Sequence, residues 1–291
     1  NPLLRNFWMV IHPPVLFAGF ATALIPWALS MSRLTEKDSS NVDILIKKYS
    51  ILAIAILGTG IMLGGAWAYV ALSFGGFWTW DPVENASLIP FLILLAGLHT
   101  ALVKKYFFAS KSLFIIAYIL IFYAAFMTRS GVLGSTSVHS FGEGAAGKLL
   151  GVFTAFLLFS FFILLIINYF KKKKNQKSQI TSIINKSSNN CYEWTLFFTT
   201  TIFILSAFHI FFNTSIPLFN FIFGLSIALP PNIISFYNKW QSVFLIILFI
   251  LMFFYFIKLQ NKILFWNRLI VYSFLLVVII ILFIIFILNH I

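Results

Sequence analysis

The chain alternates long apolar runs with short polar loops. A helix crossing a bilayer takes about 20 apolar residues, and eight runs come close to that length. They are Pro14–Ser32, Ile51–Leu72, Leu88–Val103, Ser112–Thr128, Leu149–Phe170, Trp194–Phe212, Ser242–Ile257 and Leu269–Asn289. Charge sorts with the loops between them. Alternate loops carry Arg33, Lys37, Lys47 and Lys48, then Lys104, Lys105 and Lys111, then Lys171 to Lys174, Lys177 and Lys186, and finally Lys258, Lys262 and Arg268. These are sixteen of the 20 basic residues, and the opposite loops hold only Arg5, Arg129, Lys148 and Lys239. The positive-inside bias puts the sixteen on the cytoplasmic or matrix side. One misplaced span would scramble the alternation, so charge supports the count. The expected fold is an all-α integral membrane protein: one membrane domain over residues 1–291, a polytopic bundle of about eight transmembrane helices.

Composition agrees. With 61% hydrophobic and 9% charged residues and a mean hydropathy of +0.99, the chain is too apolar for a soluble domain. Its net charge of +13 is divided among short loops, so it reads as a topology signal, with lipid and not nucleic acid as the partner. A single cysteine, Cys191, excludes a disulfide framework or a thiolate metal cage. No cleavable signal peptide is visible, and a first apolar span that is itself a membrane helix needs none. Heavy use of Phe, Ile, Asn and Lys is the bias of an AT-rich genome such as an organelle's. Residues 171–190 read as a basic, solvated inner loop. Gly60, Gly64 and Gly65 give the second span a small face on which another helix can pack closely.

One stretch differs from everything around it: SFGGFWTWDPVEN, Ser73 to Asn85, within an outer loop spanning 73–87. Phe74, Phe77, Trp78 and Trp80 crowd around a Gly-Gly hinge. They suit a platform for a flat aromatic ligand, and equally an aromatic belt at the membrane surface. Asp81-Pro82-Val83-Glu84 has the residue types of a helix start, a capping carboxylate, a Pro at N1 and an acid at N3. A short interfacial helix is therefore expected, bending at Pro90 as it enters the membrane. The same outer face receives His12, just before Pro13-Pro14, and His139, in the loop 129–147. Each alone reads as a polar rim residue. Two imidazoles flanking an aromatic platform are also the parts needed to hold a haem. His99 lies about eleven residues into the third span, ~16 Å down at helical rise. His209 and His290 fall towards the outer side.

The order of these residues resembles the tryptophan-rich WWD family of cytochrome c maturation. Trp80-Asp81-Pro82-Val83-Glu84-Asn85 is similar to the version in CcmF-type haem lyases, with Phe74 and Phe77 standing for Trp and Thr79 for Phe. His12-Pro13-Pro14, Arg129-Ser130-Gly131-Val132 and Val138-His139-Ser140-Phe141 follow that family's order. The resemblance implies a loop of Phe74, Phe77, Trp78, Trp80 and Asp81 presenting haem b, with His12 and His139 as axial ligands. It implies an intramembrane b-type haem on His99, whose second ligand neither His209 nor His290 supplies convincingly. It also implies thioether attachment of haem to a Cys-x-x-Cys-His segment of apocytochrome c, with a haem carrier protein and other haem lyase subunits as partners. Full-length family members are longer at both ends, so the chain resembles the core of a split haem lyase of the mitochondrial inner membrane. The bacterial plasma membrane is the alternative location. A haem-delivery WWD protein of the same pathway and a structural subunit of a respiratory assembly are the competing readings.

Overall fold

The computed structural model describes residues 6–35, 40–70, 76–137, 144–176 and 191–259. Among them lie nine α-helices: α1 (Phe7–Thr22), α2 (Leu24–Thr35), α3 (Ser40–Val70), α4 (Pro82–Ala101), α5 (Phe107–Arg129), α6 (Ala145–Gln176), α7 (Cys191–Thr214), α8 (Ile216–Phe223) and α9 (Ile233–Leu259). Seven spans are long and apolar enough to cross a membrane: Phe7–Leu34, Asn41–Val70, Pro82–Ala101, Phe107–Arg129, Ala145–Phe170, Tyr192–Thr214 and Ile233–Phe253. Each coincides with one of the first seven runs read from the sequence. The eighth run, Leu269–Asn289, lies outside the described residues. The protein is an all-helical, multi-pass membrane protein.

The helices are cut where backbone chemistry dictates. The first span is two helices in line, parted at Ala23. Pro26 has no N–H to give the Thr22 carbonyl, so the ladder fails there, and the Thr22 hydroxyl turns back to the carbonyls of Ala18 and Gly19. The start of α4 differs from expectation. Asp81 caps the membrane helix itself, not a separate interfacial one, and the helix runs on through a buried Pro90 to Ala101. The lysine run Lys171–Lys174 is likewise helical, because α6 continues to Gln176. Cations in a last helical turn are favoured by the helix dipole.

Helix α4 is the centre. It packs on α3, α5 and α7, and 56% of its apolar window is buried, against 6% for α9. Its buried side includes Ile89, Ile93 and Leu94, which meet Leu57 of α3, Phe114 of α5 and Ile210 of α7 in one core. Helix α1 lies against α3 at glycines, as the small face suggests. A Cβ on Gly19 would stand 2.5 Å from Leu57 Cα, and one on Gly60 would stand 2.7 Å from Leu16 Cα. Antiparallel α4 and α7 are registered at both ends: Asn85 Nδ2 donates to Thr214 Oγ1 at 3.1 Å, and the Thr100 and Thr200 hydroxyls meet at 3.2 Å. The outward faces of α6 and α9 expose Leu149, Phe156, Phe159 and Ile250, as suits lipid contact.

Candidate functional site

At the end of the bundle where α4 begins, the chain from Thr79 to Val83 is held by its own acids. Asp81 Oδ1 accepts from Val83 N at 2.8 Å, and Glu84 Oε2 accepts from Asp81 N at 3.1 Å and Thr79 N at 3.0 Å. This is the reciprocal capping box. Both carboxylates therefore act as structural acceptors. Asp81 Oδ1 also accepts from Ser137 Oγ at 2.8 Å, which ties the outer loop after α5 to the aromatic loop. Replacing Asp81 by Ala should cost about 1 kcal/mol for the cap and about as much for the Ser137 bond. Thermal unfolding in detergent checks this. Asp81→Asn, which keeps an acceptor, is expected to stay near wild type.

The two tryptophans point to different neighbours. Trp80 is the one non-glycine residue with positive φ among the described residues, at 58°. That region costs a bulky L-residue roughly 1–2 kcal/mol and persists only where the surroundings over-determine it. They do so here. The Trp80 carbonyl accepts from Asn85 Nδ2 at 3.0 Å, and its indole N–H donates to Asn238 Oδ1 at 2.7 Å. Its ring stacks on Tyr237 at 5.0 Å and 19°. Trp80 thus anchors the loop to α9. It lines a small cleft with Asn85, Thr214, Pro230 and Tyr237.

Trp78 turns the other way. It meets Trp80 edge to face at 5.9 Å and lines an open cavity with His12, Gly64, Trp67, Glu84 and Ser87. The Trp78 indole N–H is buried and has no hydrogen-bond partner among the described residues. His12 stacks on Trp67 at 6.3 Å and 15°. Its Nδ1 lies 2.8 Å from the Gly60 carbonyl, which can only accept, so Nδ1 donates to it. Metal-binding imidazoles are commonly oriented in this way. Gly64 leaves the room for it, since a Cβ there would lie 2.7 Å from His12 Cε1. Phe77 packs on Gly65 in the same manner.

The structure therefore joins His12 and Trp78 in one cavity, seats Phe77 beside it, and gives Trp80 and Asp81 anchoring contacts. Phe74 and His139 lie outside the described residues. Trp67, Asn85, Ser137 and Asn238 complete the arrangement. Asn85 closes the Trp80–Asn85 run quoted above, and Trp67 falls one helical turn after Gly64 on the same face.

His99 is deeper than its run of apolar residues suggested. It lies 17 residues after Pro82, hence ~26 Å along α4. Its Nδ1–H donates to the Leu95 carbonyl at 2.8 Å, and its ring tilts on Phe203 at 5.3 Å. His209 is nine residues beyond Thr200, the inner registration point of α7, ~14 Å back towards the outer side. It sits against α9, among Phe236, Tyr237 and Trp240. Two axial imidazoles must converge on one iron, and these two do not. Among the described residues, no second imidazole fits an intramembrane haem at His99.

Comparison with known proteins follows the same lines. Residues 1–134 match the family described as cytochrome C assembly protein. Over 168 residues the chain is 42% identical to the cytochrome c-type biogenesis protein CcmF of Pseudomonas fluorescens, covering 55% of this chain and 24% of that protein. Over 151 residues it is 37% identical to CcmF of Escherichia coli, covering 50% and 23%. The chain spans about a quarter of the length of these relatives. A solved structure titled cytochrome c heme lyase CcmF shares its fold, with a TM-score of 0.60 over 85% of this chain and 36% of that one, at 23% identity. Over its N-terminal half, this chain is similar in sequence to cytochrome c assembly proteins of the CcmF type.

Proposed function

We propose that the chain is a haem lyase component of cytochrome c maturation, holding haem for attachment to apocytochrome c. The observation that carries this reading is the shared cavity of His12 and Trp78. It combines an imidazole fixed through Nδ1, flat apolar walls and a buried indole N–H with no acceptor among the described residues. Such a site suits a planar, iron-bearing ring with polar edges. His139 is proposed as the opposite axial ligand. It lies two positions after Ser137, a reach of at most about 7 Å, and Ser137 is bonded to Asp81 of the aromatic loop.

The proposed reaction needs no protein nucleophile. Each cysteine thiol of a Cys-x-x-Cys-His segment adds across one haem vinyl group. Sulfur bonds to the vinyl carbon next to the ring, the thiol proton goes to the outer carbon, and no oxidant is consumed. The protein's contribution is to fix one large reactant while the other docks, an entropic saving of several kcal/mol. A haem carrier and companion lyase subunits would deliver haem and peptide. A companion chain is also the proposed source of a second ligand for any haem on His99. Composition favours the mitochondrial inner membrane, with the haem loop on the intermembrane side.

The test is an absorption spectrum of the purified chain. Wild type should show a low-spin, six-coordinate haem, and His12→Ala combined with His139→Ala should abolish it. Unchanged haem content and spectrum in the double variant would overturn the assignment and leave a structural subunit as the better reading.

A further inference from the structure

Helix α8 and the connection that follows it form an apolar element at the end of the bundle where α4 begins. Between Glu193 and Lys239 the sequence has no Asp, Glu, Lys or Arg, although α7 ends at Thr214 and α9 starts only at Ile233. Phe221 is 74% exposed, and Ile222, Phe223 and Leu225 are exposed beside it. An exposed apolar run of this kind marks a contact with protein or membrane. The tip is fixed in shape. Gly224 takes a φ of 64° to end α8. Asn220 closes the loop, its Nδ2 donating to the Ile227 carbonyl at 2.9 Å and its Oδ1 accepting from Ile227 N at 3.0 Å.

Two observations favour the membrane. Phe208 and Phe212, exposed on α7, lie 6.3 Å apart, and Phe212 meets Phe219 of α8 at 5.6 Å. Residues seven apart on one straight helix stand ~10.5 Å apart along its axis. The chain therefore turns at Ser215, and the lipid-facing stripe of α7 continues onto α8. The level is that of the headgroups. Thr214 Oγ1 lies 3.1 Å from the Tyr237 hydroxyl, and Lys239 with exposed Trp240 follows on α9, the residue types of a membrane interface.

We propose that α8 and its loop form a membrane-surface anchor, with Phe221, Ile222, Phe223 and Leu225 inserted among the acyl chains just beneath the headgroups. Pro217 and Pro230, at the two ends of this element, line the small cleft with Trp80, so the anchor sets the height of Trp80 over the bilayer. The inference does not rest on the haem reading.

Nitroxide collision measurements on the full chain in phosphatidylcholine liposomes test it. Cys191→Ser removes the single cysteine, and one label is then placed by Ile222→Cys or by Phe223→Cys. Phe208→Cys on the exposed face of α7 is the lipid reference. Gly144→Cys, exposed just before α6 with nothing within 4 Å of its Cβ direction, is the water reference. Labels at 222 and 223 should collide more often with oxygen than with a water-soluble nickel chelate, as at 208, and the preference should reverse at 144. Either label site suffices, so a misfolded variant at one leaves the other to decide. A preference for the nickel chelate at 222 or 223 overturns the proposal, leaving the tip in water. So does shielding from both agents, which would mean that a second copy of the chain covers it.

Discussion

Gly64→Ala is expected to strip haem from the protein almost as fully as His12→Ala, although it leaves every proposed ligand in place. The added methyl would stand 2.7 Å from His12 Cε1 and 3.1 Å from Nδ1, well inside van der Waals contact. Helices α1 and α3 cannot part to admit it, because Gly60 one turn away has its own Cβ direction filled by Leu16 backbone. The ring must therefore rotate, giving up the 2.8 Å bond to Gly60 that sets its direction. Loss of such an orienting bond typically lowers metal affinity 10–100-fold. Pyridine haemochrome titration of purified variants measures the effect. Gly144→Ala serves as control, since nothing lies within 4 Å of its Cβ direction. Added imidazole should restore six-coordinate haem to His12→Gly, where space is vacated, but not to Gly64→Ala, where it is filled. Full haem retention in Gly64→Ala would place the ligand elsewhere.

Asn85→Leu should be the most destabilising single change near the loop. Asn85 is 1% exposed, and its amide N–H groups go to the Trp80 carbonyl and to Thr214 Oγ1. Leucine keeps the volume but strands a buried carbonyl, at about 1–3 kcal/mol. It also frees Trp80 to leave its positive φ, which these contacts hold. Asn85 Oδ1 has no partner among the described residues, so its removal offsets a part of the loss. The net expectation is about 2 kcal/mol of destabilisation and a changed near-ultraviolet circular dichroism from the Trp80–Tyr237 stack. Asn238→Leu should produce the same spectral change with a smaller loss, because it removes only the indole's acceptor. A near-ultraviolet spectrum identical to wild type in both variants would show that Trp80 is held by other means.

The spans were legible because lipid imposes length and polarity on each helix separately, and seven of them lie where the apolar runs lie. The helix start at Asp81 was legible because capping is local, acting between residues two to five apart. What could not be read was which way each aromatic turns. Trp78 and Trp80 are equivalent in composition, and only the contacts of Trp80 with Tyr237 and Asn238 separate their tasks. Those contacts join residues more than 150 apart, beyond any local pattern. The small face of Gly60 and Gly64 was visible as a packing surface. That it cradles His12 depends on the rotation of α1 about its axis, which a nearly all-apolar helix does not encode in its pattern. The end of α6 was misjudged because charge marks where a chain leaves the bilayer, not where its backbone stops being helical.

The aromatic loop is translated early, yet the residues that fix it arrive in stages: Asn85 at once, Ser137 after α5, Thr214 at the end of α7, and Tyr237 with Asn238 only in α9. A nascent chain ending before α9 has every aromatic ring of the loop and lacks the clamp that separates them. The full set of contacts on the loop therefore exists only once α9 has been made.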